Sequence, residues 1–422
     1  VVVSNEGSAS KFIVENKPGI WLNPKTSYED LIKLIKDTED KTLKQWDSTF
    51  DIEQFSVNSL TDKLIHVIEE PFNKGETLYA RNLLFTFDYE LFLGKRSGSV
   101  ENCILKPTEK ILELFSKYQI TKAIFFVDTT YLKKLTESSE PECKIDLAKI
   151  KKQLVDLLQK GHYVFPHLHP HWRDAVYEKD IRQWRLEKTD AYRFHAIPEE
   201  ERSVIFSFSV DLIQELKQLA GVNYTIDSYR AGGWCLQPFN VFKPYFEKHG
   251  IKNDFSALRG SSLEGKNIHY DYTNIPAKNI YKFSDAVVKQ DKAGAFNEFV
   301  ITSLTISNTI QLLNKFLNKY LWYTKKTGFG DGYSAVDSET TVINSARQFK
   351  EQTKDKTEMA SIELLTYFTL PVYKEELKEN DFMHFISHPK MISEHNLAML
   401  EEFLKYAALN YKVNMDYNKM IN

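Results

Sequence analysis

The densest group of potential metal ligands in this chain is three histidines at alternate positions, His167, His169 and His171. Neutral imidazole is a common ligand for divalent metals. Pro166 and Pro170 argue against a helix here, so we expect a strand at residues 163–165 that runs out into a loop displaying the imidazoles. The spacing predicts a metal site. The alternative is a polar surface loop whose histidines contact only water.

Two acids stand at the end of an apolar stretch earlier in the chain. Leu83–Phe87 is predicted to be a strand, and Asp88, Tyr89 and Glu90 follow it. Because side chains alternate along a strand, Asp88 and Glu90 share one face while Tyr89 points away. Carboxylates at the carboxyl end of a barrel strand lie where such barrels place their active sites. A catalytic or ligand role and a pair of solvated acids at a strand end are equally compatible with this pattern taken by itself.

An arginine and a histidine end two later predicted strands. Arg230 enters a turn in which Gly232 and Gly233 permit close approach of the backbone. A buried arginine there can hold a carboxylate bidentately and lower its pKa, which keeps a general base ionised. His388 ends a strand just before a proline, a position from which an imidazole can protonate a leaving amine. For both residues the alternative is a purely structural role.

Alternating strands and helices from about residue 82 onward must position these side chains. The predicted strands are Leu83–Phe87, Ala123–Val127, Tyr163–Phe165, Tyr224–Ser228, Phe299–Ser303 and Phe382–Ile386. The predicted helices are Thr108–Tyr118, Ile145–Gln159, Ile205–Leu219, Phe239–Lys248, Ile310–Tyr323 and Leu397–Ala408. This alternation predicts an α/β fold with a parallel sheet, for which a closed barrel is at least as suitable as an open sheet.

Residues 1–70 are predicted to be a small, partial α/β segment, joined to the rest by a linker at 71–80. The segment resembles the C-terminal end of a retaining two-domain glycosyltransferase. The matching residues are Val-Val-Ser-Asn-x-Gly at 2–7, Phe12-Ile13, Gly19-Ile20-Trp21-Leu22-Asn23-Pro24 and Phe55-Ser56. Those enzymes carry a Glu where this chain has Lys11, so we predict no transferase activity for this polypeptide.

Composition excludes some classes of function. The chain has 422 residues, 42% of them hydrophobic, which allows a large core and more than one domain. Its 55 basic and 58 acidic residues give no excess of positive charge of the kind that binds nucleic acid.

The cysteines and the apolar runs bear on where the protein is located. Cys103, Cys143 and Cys235 lack disulfide or zinc-finger spacing and predict free thiols in a reducing, cytoplasmic compartment. No apolar run approaches the roughly 20 residues of a membrane span, and no signal peptide is predicted. Because the chain begins with Val, we expect it to be part of a longer protein.

Four motifs together resemble those of the polysaccharide deacetylase family. In order they are Thr86-Phe87-Asp88, Gly161-His162…His167-x-x-x-His171, Tyr229-Arg230-Ala231-Gly232-Gly233 and Ser387-His388-Pro389. The likeness spans about residues 82–410. The residues that flank the motifs are similar to those of a divergent branch of the family associated with surface polysaccharide synthesis. The resemblance implies a distorted parallel (β/α) barrel over residues 81–412 and a metal-dependent hydrolase.

The resemblance also implies roles for individual residues. Asp88 matches the family's general base, and Arg230 matches the residue that steadies that base. His167 and His171 match the two histidine ligands of the metal, and His388 matches the general acid. The implied cofactor is a divalent metal ion, with zinc as the expected one.

One position departs from the family pattern. The family's metal-binding Asp directly follows the base, and here that position is Tyr89, a poor zinc ligand because its phenol stays protonated at neutral pH. Glu90 is predicted to replace the missing ligand, and His169 could also complete the site. Asp254 falls near a later acidic motif of the family, but only loosely.

The predicted function is hydrolysis of an N-acetyl or other N-acyl group on an amino sugar of a glycan or glycan precursor. Trp172, Tyr229 and Trp234 flank the central motifs and are predicted to bind the sugar; the alternative for the two tryptophans is core packing. Two other functions stay open. One is an inactive, deacetylase-like carbohydrate-binding module, which Tyr89 suggests. The other is an accessory part of a glycosyltransferase in which the N-terminal segment does the work.

Overall fold

The computed structural model of the protein describes residues 2–3, 20–21, 78–320, 328–333 and 356–421. The chain divides into two compact units, Val1–Thr77 and Leu78–Asn422. In the first unit, strands β1 (Val2–Val3) and β2 (Ile20–Trp21) pair in parallel. The remainder of the glycosyltransferase-like segment lies outside the described residues, so that resemblance stays a prediction.

A single large sheet organises the second unit. In chain order its strands and those of three small pairs are β3 (Ala80–Tyr89), β4 (Ile124–Asp128), β5 (Tyr163–Leu168), β6 (Val176–Glu178), β7 (Gln183–Arg185), β8 (Ser228–Ala231), β9 (Asn253–Asp254), β10 (Ser262–Glu264), β11 (His269–Asp271), β12 (Ile280–Phe283), β13 (Phe296–Phe299), β14 (Ser303–Ile306), β15 (Lys356–Met359), β16 (Phe382–Ser387) and β17 (Lys412–Asn414). The large sheet has the order β12-β13-β9-β8-β5-β4-β3-β16, and β17 pairs with the start of β3. Its neighbouring strands are parallel except for β12 and β13.

Helices cover the outer face of this sheet. In the described ranges the α-helices are Lys106–Lys117, Thr129–Glu137, Pro141–Gln159, Glu199–Ala220, Lys243–His249, Asn308–Tyr320, Leu370–Glu379 and Glu394–Asn410. Phe115 of the first helix packs its ring 5.3 Å from that of Phe85 and 5.9 Å from that of Phe87. Burying a side chain of this size contributes roughly 1.5–3 kcal/mol, so such contacts hold β3 against its helix. Among the described helices, none has both the length and the apolar composition that a membrane crossing requires.

Over the described residues the sheet curls into a half-barrel and does not close. Of the two arrangements that the sequence left open, a closed barrel and an open sheet, the closed barrel is therefore not formed. The antiparallel pair β12–β13 occupies the edge beyond β9, so the ladder ends there and β16 forms the other edge. After β13, the N–H of Ile301 donates to the carbonyl of Ala257 (2.8 Å), which extends the pairing with β9. The N–H of Thr302 then donates to the carbonyl of His384 in β16 (3.3 Å), across the gap. The α/β class with a mainly parallel sheet is confirmed.

Several predicted boundaries differ from the structure for local reasons. The strand predicted at Tyr224–Ser228 begins only at Ser228 and ends at Ala231, so Arg230 lies within it. The prediction also omits the helix Thr129–Glu137. That helix begins directly after β4 because the side chain of Asp128 accepts a hydrogen bond from the backbone N–H of Tyr131 and caps it.

Candidate active site

The predicted motifs converge at the carboxyl edge of the sheet, where parallel strands end side by side. The side chains at this edge are Asp88 and Glu90 from the end of β3, His167 and His169 from the end of β5, Arg230 from β8 and His388 from the end of β16. The first five of these side chains are at most 6% exposed, whereas that of His388 is 21% exposed. The cluster therefore opens to solvent on the side of His388.

Three of these residues form a group that can hold a metal ion. The ligand atoms of Glu90, His167 and His169 all lie within 4.8 Å of one another. Oε2 of Glu90 lies 2.7 Å from Nε2 of His169 and 3.3 Å from Nε2 of His167, and the two imidazole nitrogens are 2.9 Å apart. Two imidazoles and one carboxylate are a ligand set found in catalytic zinc sites, which leave a further position for water or substrate.

The hydrogen bonds around this group fit a bound cation. Nδ1 of His167 lies 2.9 Å from the carbonyl of Arg230, which can only accept, so Nδ1 carries a hydrogen. In the neutral imidazole this leaves the lone pair on Nε2, which faces the group. Oε2 of Glu90 is buried, and despite its 2.7 Å distance from Nε2 of His169 it has no hydrogen bond of suitable angle among the described residues. A metal ion would satisfy both atoms.

The charges of the cluster favour the same interpretation. Burial opposes a charge on His167, yet the neighbouring carboxylates of Asp88 and Glu90 outweigh it and raise the pKa of His167 to about 9. Burial also opposes ionisation of Glu90, yet the ammonium of Lys390 and the imidazole of His169 hold the pKa of Glu90 well below its usual range. The group therefore attracts a positive charge, which a metal ion in place of the proton on His167 can supply.

Asp88 lies beside the ligand group and is held by Arg230. Nη1 of Arg230 donates to Oδ1 of Asp88 at 2.6 Å, and Nη2 donates to Oγ1 of Thr86 at 2.6 Å, so the guanidinium contacts the carboxylate through one nitrogen. Oδ2 of Asp88 lies 3.9 Å from Nε2 of His167. Burial would raise the pKa of Asp88, but Arg230 and the nearby imidazoles lower it, so this carboxylate is ionised at neutral pH.

His388 faces Asp88 on one side and a carboxylate on the other. Its Nε2 lies 3.6 Å from Oδ2 of Asp88, and its Nδ1 donates to Oε1 of Glu363 at 3.0 Å. Burial would lower the pKa of His388, but Glu363 and Asp88 raise it above its usual value. The raised pKa favours the protonated form of this imidazole. A carboxylate with a lowered pKa and an imidazole with a raised pKa thus stand next to the ligand group.

Gly232 explains how His169 reaches this group. A Cβ at Gly232 would lie 2.2 Å from the carbonyl oxygen of Leu168 and 2.9 Å from Nδ1 of His169. Only a glycine allows the turn after β8 to pass this close to β5, as the close approach expected at this turn requires. A hydrogen bond also fixes the backbone of His169, because its N–H donates to Oγ1 of Thr130 at 2.9 Å.

Some predicted site residues lie elsewhere. His171 is buried outside the ligand group, its ring stacks on Tyr192 at 5.0 Å, and burial lowers its pKa to about 3. Trp172 is 1% exposed, and its indole donates to Oδ2 of Asp128 at 2.5 Å. Tyr229 is fully buried among phenylalanines. Neither of these two rings has a free face for a sugar.

Three further positions considered in the sequence are Trp234, Tyr89 and Asp254. Trp234 is half-buried, and its ring meets that of Tyr270 edge-on at 5.6 Å. Tyr89 points away from the cluster, and its hydroxyl donates to Oε1 of Gln153 at 2.8 Å. Asp254 is buried behind the cluster, where its carboxylate accepts from Ser256. Neither Tyr89 nor Asp254 belongs to the ligand group of the described residues.

Sequence reasoning missed Glu363, Lys390 and Asp128. Glu363 binds His388 from 25 residues away, and Lys390 binds Glu90 from 300 residues away, so no local pattern pairs them. Asp128 had a signal, since an acid directly follows the strand predicted at Ala123–Val127. Glu363 and Lys390 also line a cavity of about 640 Å³, but among the described residues none of the six side chains of the cluster lines it.

Comparisons with known proteins add little to this site. No protein-family model matches the chain. No curated protein matches it. Among solved structures, a candidate polysaccharide deacetylase from Mycobacterium smegmatis is similar over 82% of this chain and 91% of its own, with 10% identity and a TM-score of 0.43. A 4-alpha-glucanotransferase from Thermococcus litoralis is similar over 80% of this chain and 38% of its own, with 11% identity and a TM-score of 0.37. At these scores the two likenesses decide neither fold nor function.

Proposed function

We propose that this protein is a divalent-metal-dependent hydrolase that removes an N-acyl group, in the first instance acetyl, from an amino sugar of a glycan or glycan precursor. The observation that carries the proposal is one arrangement of buried side chains. A carboxylate and two imidazoles form the ligand group. Next to it lie Asp88, whose pKa is lowered, and His388, whose pKa is raised. This combination of groups suits hydrolysis of an amide.

In the proposed reaction each residue has a defined task. Glu90, His167 and His169 would hold the metal, which when bound would polarise the amide carbonyl and make water a better nucleophile. Asp88 accepts the proton of the water that attacks the carbonyl carbon, and Arg230 keeps Asp88 ionised until then. His388 donates its proton to the amine nitrogen as the carbon–nitrogen bond breaks, which releases the carboxylic acid and the amino sugar.

The metal, the substrate and the cellular location in this proposal are each supported by a different observation. Zinc is supported by the two-imidazole, one-carboxylate ligand set. The amino-sugar substrate is supported by the resemblance of four motifs to polysaccharide deacetylases. A cytoplasmic location is supported by the three cysteines, which are all free and buried.

The test is acetate release from N-acetylhexosamine oligosaccharides and nucleotide-linked N-acetylhexosamines by the zinc-loaded protein. We expect Asp88→Asn to lower the rate by about 100-fold or more, because the base is lost, while zinc content stays unchanged. Tyr89→Phe is the matched control, because it removes a hydroxyl that points away from the cluster, and we expect it to keep the rate.

Two results would overturn the proposal. One is a zinc-loaded wild-type protein that releases no acetate from any of these compounds, as the carbohydrate-binding alternative predicts. The other is acetate release that Asp88→Asn leaves unchanged. Loss of activity on deletion of residues 1–75 with Asp88→Asn silent would instead support the glycosyltransferase alternative.

A further inference from the structure

We infer that Lys390 is a positioning residue that presents a single oxygen of Glu90 to the metal. This inference rests on the metal site of the proposed function and goes beyond it, because it assigns how the ligand that replaces the family's Asp is held. Lys390 follows the strand β16, whereas Glu90 follows its neighbour β3.

The two oxygens of the Glu90 carboxylate have different partners. The ammonium of Lys390 donates to Oε1 at 2.8 Å. Oε2 instead faces the imidazoles, at 2.7 Å from Nε2 of His169 and 3.3 Å from Nε2 of His167. Because the terminal torsion of a glutamate is broad, the carboxylate has no strong preference of its own for this orientation. Lys390 supplies that preference and leaves Oε2 as the ligand oxygen.

Lys390 is itself held rigidly enough to do this. Its side chain is 6% exposed, and its ammonium also donates to the carbonyl of Leu91 at 2.6 Å and lies 5.1 Å from the ring centre of Phe92. Its own carbonyl accepts from the backbone N–H of Gly330 at 2.9 Å. The ammonium thus bridges the two residues that follow β3 and cannot shift without breaking buried hydrogen bonds.

Lys390 has two opposing effects on a metal ion, and they predict opposite results. Its positive charge repels a second cation, so removing it would tighten metal binding if charge dominated. Its hydrogen bond orients the ligand, so removing it would weaken binding if positioning dominated. We expect positioning to dominate for two reasons. The ammonium contacts Oε1, which is not the oxygen that faces the imidazoles of His167 and His169, and the carbonyl of Leu91 partly offsets the charge of the ammonium.

The experiment measures zinc affinity by competition with a chromophoric chelator, using the full chain after metal removal. We expect Lys390→Met to weaken zinc binding by about 10- to 100-fold, as loss of a partner that orients a ligand does. Lys390→Arg, which keeps a charged donor, should recover part of the loss. Lys217→Met is the control, because Lys217 is also buried but contacts Gln214 and a tyrosine ring away from the cluster.

Circular dichroism and thermal unfolding establish that each variant is folded. Should Lys390→Met not fold, Lys390→Gln keeps a neutral donor and is expected to weaken zinc binding less than tenfold while remaining folded. Unchanged or tighter zinc binding in a folded Lys390→Met or Lys390→Gln protein would overturn the inference. Tight zinc binding by the wild type without acetate release would refute the proposed activity alone, so the two failures are distinguishable.

Discussion

At the scale of single residues, the groups that would exchange protons are held in opposite states by their neighbours. Asp88 keeps a lowered pKa because Arg230 lies 2.6 Å from it, and His388 keeps a raised pKa because Glu363 lies 3.0 Å from its Nδ1. Two neighbouring titratable groups whose pKa values are shifted in opposite directions are typical of a base and an acid in one site. Glu363, which no motif indicated, would therefore support the acid role proposed for His388.

Replacement of Glu363 by Gln tests this pairing through the pH dependence of the reaction. A raised pKa keeps His388 protonated below that pKa, and activity falls as pH rises through it. Without the carboxylate the pKa of His388 falls, so the basic limb of the rate profile is expected to move to lower pH. At pH 8 we expect kcat to fall by about tenfold or more.

The control for this variant is Glu375→Gln, which removes an exposed carboxylate paired with Lys378 on the helix Leu370–Glu379. It is expected to leave the profile in place. A Glu363→Gln protein whose basic limb stays at the wild-type pH would show that this carboxylate does not set the protonation of His388.

At the scale of secondary structure, strand geometry decides which side chains meet. Alternation along β3 places Asp88 and Glu90 on the inner face and Tyr89 on the outer face, as the sequence indicated. The same alternation would have kept all three histidines together, but the 3₁₀ turn Pro170–Asp174 follows His169 directly. The turn redirects the chain, so His171 packs on Tyr192 instead of joining the ligand group.

Gly232→Ala tests how closely the turn after β8 must pass to β5. A methyl group there would lie 2.2 Å from the carbonyl of Leu168 and 2.9 Å from Nδ1 of His169, so His169 must shift. We expect zinc affinity to fall by about tenfold, measured by chelator competition. Gly250→Ala is the control, since its φ of +73° costs roughly 1 kcal/mol of stability while no atom lies within 4 Å of the added methyl.

For this prediction the decisive comparison is between the two alanine variants. Equal zinc affinity in both, at the wild-type value, would mean that the turn at Gly232 does not position His169. A loss in both would point to general destabilisation instead.

At the scale of the whole molecule, local patterns predicted the parallel strands and the edge where they end. Asp88 and His388 were predicted at this edge because each directly follows a strand whose apolar run is visible in the sequence. Arg230 was predicted to follow a strand but lies within β8, because residues 224–228 carry no apolar run that fixes the strand bounds. Whether the sheet closes was not predictable, because closure depends on how the antiparallel pair β12–β13 occupies its far edge. Contacts between distant segments, such as that of Lys390 with Glu90, could not be predicted from the sequence either, because no local pattern pairs the two residues.

The central claim is that the metal is held by Glu90, His167 and His169, a set that excludes His171, which the motif resemblance predicted as a ligand. The most direct test is the zinc content of purified, zinc-loaded and desalted protein, measured by elemental analysis for the wild type, His169→Gln and His171→Gln. We predict about one ion per chain in the wild type and in His171→Gln, and loss of the ion in His169→Gln. No zinc in the wild type, or zinc retained in His169→Gln and lost in His171→Gln, would contradict the claim.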